Sequence, residues 1–346
     1  MVVNSIKLQG KLKRMDVRLG ESKNSGKEYA SANMTLVVDE NELIVRMFAM
    51  RHKNNGEERS DYTGIMTLYS EAKALHKTIK YGDADAVVES MEDNETIVET
   101  IEECEGIKCS SWKDFKYCRF EMNPRVSADG SVIKPVEITA NYVNRFKENE
   151  EFNYKNYFEI VGMVKNVPVE LEDVEGNPYL KFAIVVPELR KGYTRADGVV
   201  VEDTIKLHEI EVTSHNEAAF DDILNEFEKG CFASVNGEII RTVERIEKEV
   251  EVAHVGFGRQ KEVEPHFETK ITSYIEILGG YRYDYEELED KPEFNQELFA
   301  KGLEELEKVE ENLLSKNQEQ QEKPRGFGGS NKSESKKEKP RTPFNF

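Results

Sequence analysis

Aromatic and basic residues alternate in one short stretch of the chain, which runs from Trp112 to Phe120 and reads WKDFKYCRF. Flat aromatic rings can stack on the bases of a single nucleic-acid strand, and Lys or Arg side chains can neutralise its phosphates. Because stacking contributes roughly 1–3 kcal/mol per base, a few rings decide the affinity. Burial of Trp112 under a hairpin is an equally good interpretation, since tryptophan is usually largely buried. The candidate contacts in this stretch are Trp112, Lys116, Tyr117 and Arg119.

The same residue types recur on other predicted strands and on a glycine-flanked turn (GFGRQK). An isolated lysine is more often part of a solvated face, which is the alternative interpretation for each basic residue. The further candidates are Lys11, Lys13, Arg14, Tyr29, Arg46, Phe48 and Arg51 in the first part of the chain, and Lys165, Tyr179, Lys181, Tyr193, Lys206, Phe257 and Arg259 in the second.

Residues that could catalyse a reaction or bind a metal form no known pattern. The chain has no phosphate-binding loop, no Gly-x-Ser-x-Gly motif and no His-Glu-x-x-His motif. Cys104, Cys109 and Cys118 are close in sequence, but no CxxC pair exists, so zinc is only a weak alternative. We therefore expect no enzyme activity, no cofactor and no metal. An acidic nuclease without a recognisable motif is a minor rival hypothesis.

Charge is distributed unevenly along the 346 residues, whose net charge is −20. Residues 83–106 contain ten acids without a Lys or Arg, and residues 283–312 carry a net charge of −9. The stretch 321–346 carries +4, which leaves only −5 for the rest of the chain. A nearly balanced body can present a basic groove on one face, so the total charge does not exclude nucleic acid. Alternatively, residues 83–106 are a solvated loop or a phosphate mimic that competes for such a groove.

Cysteine content and hydrophobicity indicate the compartment. Four cysteines in this length do not make a disulfide framework, so a reducing cytoplasm is expected, which is the host cytoplasm if the chain is encoded by a phage. No run of about 18 apolar residues exists, so no membrane association is expected.

Three pairs of glycines with similar neighbours indicate an internal repeat. Gly10 matches Gly162, Gly26 matches Gly176 and Gly82 matches Gly230, at nearly constant displacements of 152, 150 and 148 residues. The clearer second copy predicts three strands, one helix and two strands, which is the order of a five-stranded oligonucleotide-binding (OB) barrel.

The first copy repeats this order. The predicted strands are near Ser5–Met15, Tyr29–Val38, Glu42–Met50, Ala86–Met91 and Val136–Val143, with a helix near Leu68–Lys80. One large β domain is the alternative, but the constant register of the glycines favours two barrels. We thus predict a mainly β protein with two tandem OB barrels, each with one helix. The predicted domains are residues 1–150, with an insertion at about 96–130, residues 155–281, an acidic helical segment at 282–316 and a disordered tail at 317–346.

The second copy resembles bacterial and phage single-stranded DNA-binding proteins. The resemblance rests on VGMV at 161–164, FAIVV at 182–186, VNGE at 235–238 and ITSYIEILGG at 271–280, and extends more weakly over residues 5–145. It implies a protein that coats single-stranded DNA without strong sequence preference during replication, recombination or repair. Family members usually carry one barrel per subunit and assemble as tetramers, whereas two barrels are predicted in this chain. The resemblance therefore does not fix the oligomeric state, and a homo-oligomer is left open.

The C-terminal end is partly similar to that family, whose members end in an acidic stretch and a Pro-Phe that recruits partners. Here Phe344 follows Pro343, and Phe346 ends the chain. The resemblance implies that Phe344 and Phe346 bind replication or recombination proteins. The alternative function is a non-enzymatic phage replication or virion scaffold that uses OB barrels for protein–protein contacts.

Overall fold

The computed structural model describes residues 3–22, 26–53, 56–75, 78–80, 97–102, 106–110, 118–127, 129–141, 143–145, 153–194, 198–248 and 266–322. The chain is mainly β, as predicted. Within the described ranges, no helix combines the length and the apolar character needed to span a membrane.

The elements fall into a first half (residues 3–145), a second half (residues 153–283) and a C-terminal segment. The strands of the first half are β1 (Asn4–Glu21), β2 (Glu28–Val38), β3 (Asn41–Met50), β4 (Thr78–Lys80), β5 (Ile97–Glu102), β6 (Gly106–Ser110), β7 (Cys118–Met122), β8 (Arg125–Val126), β9 (Val132–Ile133), β10 (Val136–Ala140) and β11 (Asn144–Arg145). Those of the second half are β12 (Lys155–Val164), β13 (Val169–Glu172), β14 (Pro178–Arg190), β15 (Tyr193–Thr194), β16 (Val200–Val201), β17 (Thr204–Ser214), β18 (Phe232–Lys248) and β19 (His266–Tyr283). The α-helices are α1 (Ser60–Leu75), α2 (Phe220–Glu226), α3 (Gln296–Glu307) and α4 (Val309–Glu322).

Five strands of the second half pair in a closed ring. β12 pairs with β14 and with β18, β14 pairs with β17, and β18 pairs with β19, all antiparallel. A parallel contact between Thr213 of β17 and Glu276 of β19 closes the ring. Alternate residues point inward and form the core, and α2 adds Phe220 and Ile223 to it. The ring encloses a hydrophobic core, and its outer face carries polar side chains as well as an apolar patch that includes Val185 and Leu207.

The first half pairs its strands in a similar order. β1, β2 and β3 are antiparallel neighbours, β3 is parallel to β10, and β10 is antiparallel to β7. β6 pairs with β1 and with β11. Helix α1 buries Ile65 and Leu68. It begins eight residues earlier than the predicted Leu68–Lys80, because Ile65 rather than Ile79 shares the buried face with Leu68; Ile79 belongs to β4.

The interval predicted as an insertion, about Thr96 to Gly130, contributes strands to this sheet. β6 lies beside β1 and β7 lies beside β10, so the predicted insertion adds strands to the sheet of the first half. The strand predicted near Ala86–Met91 lies outside the described residues. The sequence of β6, GIKCS, is too short to show a clear alternation, which explains why its place in the sheet was missed.

A glycine occupies the same crowded place in both halves. A Cβ atom on Gly10 would lie 2.6 Å from the carbonyl oxygen of Val37, and one on Gly162 would lie 2.3 Å from that of Val185. Both distances are too short for any side chain, so β1 and β12 each need glycine where they cross the second strand of their half. This equivalence supports the duplication inferred from sequence.

The first strands of the two halves join them into one sheet. β1 and β12 are antiparallel from the pair Asn4–Ile160 to the pair Gln9–Lys155. Ile6 faces Phe158, which lies 152 residues further along, the displacement that separates Gly10 from Gly162. An approximate two-fold axis therefore passes between Ile6 and Phe158, as it would between two subunits of a symmetric dimer.

Candidate nucleic-acid interface

The outer face of β2 and β3 presents an aromatic platform. Because Met47 and Ala49 point into the core, Phe48 between them points outward, and 58% of its surface is exposed. Its ring stacks on Tyr29 of β2, with 5.6 Å between the ring centroids and 30° between the ring planes. The sheet thus brings two aromatic residues that the sequence predicted as contacts together on one open surface.

Arginines lie beside this platform. The Arg51 guanidinium is 2.5 Å from the Glu28 carboxylate and 3.2 Å from that of Glu58. The hydrogen bonds to these two carboxylates raise the pKa of Arg51 above its usual value, so its charge is permanent. Arg46 is paired with Glu137 of β10. Both arginines are more than a third exposed, so a phosphate can reach them in exchange for a carboxylate.

The three predicted cations of β1 border the same face. Lys13 is 2.5 Å from Glu42 of β3, and Arg14 is 3.1 Å from Asp16. Lys11 is exposed and makes no ion pair with any described residue. The β1–β3 face therefore combines exposed rings with a cationic border, as binding of a single strand requires.

A second aromatic cluster lies on the second half. Tyr179 of β14 stacks on His215, which follows β17, with 5.2 Å between centroids and 19° between planes. His215 also packs against Tyr274 of β19, at 4.7 Å. The Glu276 carboxylate fixes His215, because it accepts a hydrogen bond from the backbone N–H and contacts Nδ1, both at 2.7 Å.

Sequence reasoning found Tyr179 but missed His215 and Tyr274. His215 follows β17 and Tyr274 lies in β19, so the two residues are far apart in sequence and only the fold brings their rings together. The alternation of residues in β19 could have indicated Tyr274, because it precedes the buried Ile275 and therefore points to the opposite face of the strand.

The predicted lysines of the second half face carboxylates. Lys165 and Lys181 are each 2.7 Å from a glutamate of β17, Glu209 and Glu211 respectively. All four groups are partly exposed, and such pairs contribute little to stability. Both lysines remain partly exposed, and Lys181 lies two residues from Tyr179 on the same strand.

Most of the outer face at the far end of β14 and β17 is covered by the C-terminal segment. Helix α3 begins after Asn295, whose side chain accepts a hydrogen bond from the Leu298 N–H. Its Phe299 packs with Val185, Ile205 and other apolar residues in a buried cluster. The acidic, amphipathic segment predicted from apolar spacing is thus helical and covers the second half.

Arg119 and Lys206 are both predicted to contact DNA. They lie instead where β7 of the first half meets β14 and β17 of the second half, a region called the joint below. The guanidinium of Arg119 in β7 is 3.2 Å from Glu188 of β14. The Lys206 ammonium of β17 is 3.0 Å from Glu121 of β7. Only 19% of the Arg119 side chain and 30% of the Lys206 side chain are exposed, so the structure places both residues apart from the open β1–β3 face. These two carboxylates come from the other half, which a sequence pattern does not reveal, and Arg119 also lies 3.7 Å from Glu121 of its own strand.

His208 is buried in the same joint. The Met122 N–H donates to Nδ1 at 3.0 Å, so Nε2 carries the proton and donates to Glu188 at 3.1 Å. Burial lowers the pKa of His208, which keeps the ring neutral. Burial alone would raise the pKa of Glu188, but the hydrogen bond from His208 and the charge of Arg119 outweigh it and lower that pKa to about 2. The joint is therefore built for a neutral histidine and an ionised glutamate.

The remaining predicted site residues lie apart from these surfaces or outside the described residues. Tyr193 is exposed on β15, which pairs only with β16 among the described strands. Cys118 is buried in the core, and no cluster of three potential metal ligands occurs within the described ranges. The predicted contacts outside the described residues are Trp112, Lys116, Tyr117, Phe257, Arg259, Phe344 and Phe346.

Comparison with known proteins identifies the family. The chain belongs to the YorF family, whose sequence model matches residues 3–89 and 120–320. No curated protein matches the chain.

Three solved structures are similar at low identity. The wild-type single-stranded DNA-binding protein of Thermus aquaticus is 14% identical, covering 82% of this chain and 93% of its own, with a TM-score of 0.40. A deletion mutant of that protein covers 82% and 95%, at 14% identity and a TM-score of 0.42. A Plasmodium falciparum single-stranded DNA-binding protein in complex with single-stranded DNA is 14% identical, covering 39% and 100%, with a TM-score of 0.23.

Proposed function

We propose that this protein binds single-stranded DNA without strong sequence preference and is not an enzyme. The observation that carries the proposal is the exposed Tyr29–Phe48 stack, which lies on the β1–β3 face together with the cations Lys11, Lys13 and Arg51. A ring 58% exposed is costly to hydrate, and it gains most when a flat base covers it.

The order of the strands supports the proposal. In the second half the sequence of neighbours around the ring is first, second, third, fifth and fourth strand, with the third and fifth parallel. We infer that both halves are five-stranded OB barrels, in which the face of the second and third strands binds oligonucleotides. The Tyr29–Phe48 stack lies on that face of the first half.

The composition of the face favours sequence-independent binding. Every base offers a flat ring to a stacking partner, and every nucleotide offers the same phosphate to a cation. The ion pairs of Arg51 and Lys13 are exposed, so exchange of their carboxylates for phosphate costs little. Binding should consequently be weakened by salt.

The wider role follows from the resemblance to single-stranded DNA-binding proteins. We propose that the protein coats and protects single strands in the cytoplasm during replication, recombination or repair. Recruitment of partner proteins by Phe344 and Phe346, and self-association of the chain, belong to the same proposal.

The test is the substitution Phe48→Ala. Phe48 is largely exposed, so the variant should fold normally, and its affinity for a short oligo-dT should fall by about 1–3 kcal/mol through the loss of one stacking partner. The measurement is fluorescence anisotropy of a labelled oligonucleotide at fixed salt.

The matched control is Leu224→Ala, which removes a partly exposed apolar side chain on α2, away from the platform. It should leave the affinity unchanged. Absence of oligonucleotide binding by the unaltered protein would instead favour the scaffold function, in which the barrels bind other proteins.

A further inference from the structure

A cleft of about 440 Å³ separates the two halves. Its volume lies within the range of about 300–1,000 Å³ that is typical of ligand sites. The first half supplies one wall from β3 and β10, and the second half supplies the other from β17, β18 and β19. Neither half could form this site alone.

The outward residues of β3 lead from the aromatic platform into the cleft. Phe48, Arg46 and Ile44 are successive outward positions, about 7 Å apart, and the last two line the cleft. Ile44 is 42% exposed, so an apolar surface continues past the arginine. A strand stacked on Phe48 therefore has a continuous path toward the second half.

The opposite wall leads to the second aromatic cluster. Tyr274 and Thr213 line the cleft, and Tyr274 packs on His215 at 4.7 Å. His215 stacks in turn on Tyr179. The cleft thus connects the Tyr29–Phe48 platform with three rings of the other half.

A cation with unused hydrogen-bond donors lies at the seam. The backbone N–H of Arg241 donates to the Asn41 side chain at 2.9 Å, and the guanidinium Nη1 donates to the Glu42 carbonyl oxygen at 2.7 Å. The second of these contacts with the first half holds the guanidinium at the seam. Arg241 has no carboxylate partner among the described residues. Most of its five N–H groups can therefore donate hydrogen bonds to a phosphate.

Two more cations and two acids complete the charge of the cleft. Arg46 is paired with Glu137 on the first wall, and Glu211 on the second wall is paired with Lys181. Lys134, the third lining cation, is 2.8 Å from Glu310 of α4. Cations therefore outnumber acids among the lining residues, and Arg241 is the one that an incoming phosphate can bind without displacing a carboxylate.

We propose that this cleft holds the middle of a single DNA strand whose ends stack on the Tyr29–Phe48 platform and on the Tyr179–His215–Tyr274 cluster, with Arg241 bound to a backbone phosphate. This inference rests on the proposed function. The two barrels then act as one continuous binding site rather than as two independent ones.

The experiment compares oligo-dT of two lengths, chosen because one barrel spans roughly 4–16 nucleotides. An oligonucleotide of roughly 8 nucleotides occupies the platform, whereas one of roughly 30 also crosses the cleft. The variant Ser273→Glu places a negative charge in the cleft at an exposed position. Thr272→Glu, on the neighbouring exposed residue outside the lining, is the matched control.

The unaltered protein should bind the longer oligonucleotide more tightly than the shorter one. Ser273→Glu should weaken binding of the longer one by about 5-fold or more through charge repulsion, and leave the shorter one unchanged. Arg241→Gln should act in the same direction, and Thr272→Glu should change neither affinity.

Full retention of the length-dependent gain in Ser273→Glu and Arg241→Gln would overturn the inference. Equal losses for both lengths would also overturn it, because the cleft would then be the primary site. Failure of the proposed function has a different signature, since the unaltered protein would then bind neither length.

Discussion

The outer faces of β2–β3 and of β14–β17 occupy corresponding places in the two halves, but they are used differently. In the first half the face is open, and Phe48 is 58% exposed. In the second half Val185, Ile205 and Leu207 of that face are buried beneath α3 and the turns before it. The first half thus leaves this face open, with its rings and cations. The second half holds the C-terminal segment on part of the face and keeps the Tyr179–His215–Tyr274 cluster outside that part.

This difference shows how a duplicated fold can diverge without a change in topology. Alternation of strand residues separates the core from the outer face, so the outer face can change while the core is retained. Apolar residues on the outer face of the second half attract a helix, whereas Ser31, Asn33 and Thr35 on that of the first half do not. The apolar part of the face in the second half is therefore filled by the chain's own helix, whereas the polar face of the first half stays open.

The largest expected effect is a difference in the free energy of unfolding between a variant of the covered face and a variant of the open face. Phe299→Ala in α3 should lower the free energy of unfolding by about 3–5 kcal/mol, because Phe299 is buried against Phe232 and Phe294. The equivalent change on the open face, Phe48→Ala, should cost less than about 0.5 kcal/mol. Urea denaturation of both variants measures the contrast. Similar costs at the two positions would contradict the division between a packed and an open face.

The second test concerns the cations of the open face. Replacement of Lys11, Lys13 and Arg14 by Gln should make the slope of log affinity against log salt shallower by about 2, because each lost phosphate contact on a single strand removes about 0.7. Titration of oligo-dT at several salt concentrations gives the slope.

The matched control replaces three other lysines, Lys229, Lys291 and Lys308, which lie away from the open face. Their replacement should leave the slope nearly unchanged. Equal changes in the two triple variants would show that only the total charge of the chain matters.

The smallest effect is expected at the joint that holds the two faces together. The folded-state pKa of His208 is lowered from 6.5, so its contribution to stability is present above pH 6.5 and is lost as the pH falls toward the folded-state pKa. The slope in this window is at most about 1.4 kcal/mol per pH unit. His208→Gln should remove it, as measured by urea denaturation between pH 5 and 8.

His52→Gln, at an exposed position, is the control and should keep the slope of the unaltered protein. The contribution of Glu188 to stability falls in a separate pH window, because its pKa is lowered from 4.5 to about 2. That contribution is fully present above pH 4.5 and is lost as the pH falls from 4.5 toward 2. An unchanged slope in His208→Gln would show that the neutral ring does not stabilise the joint.

Local patterns in the sequence were sufficient for most of the strands. Alternation over Met34, Leu36 and Val38 predicted β2 within one residue of its observed start, because each inward residue is fully buried and each outward residue is hydrated. Tyr29 and Phe48 could be selected for the same reason, since alternation fixes the face of each side chain once a strand is known. The short strand β6 could not be predicted, because its place depends on pairing with β1.

What the sequence alone determined was the class of fold, the duplication marked by Gly10 and Gly162, the residue types of the open face and the helical nature of the acidic segment. The tertiary structure alone decided which cations are free to bind a ligand. Arg119 and Lys206 have the right chemistry, but each is paired with a carboxylate of the opposite half. Tyr274 and Arg241 gain their significance only because the pairing of β1 with β12 brings the two halves together around a cleft. Strand alternation is a local property of the chain, whereas ion pairing and clefts depend on residues far apart in sequence, and no local pattern records them.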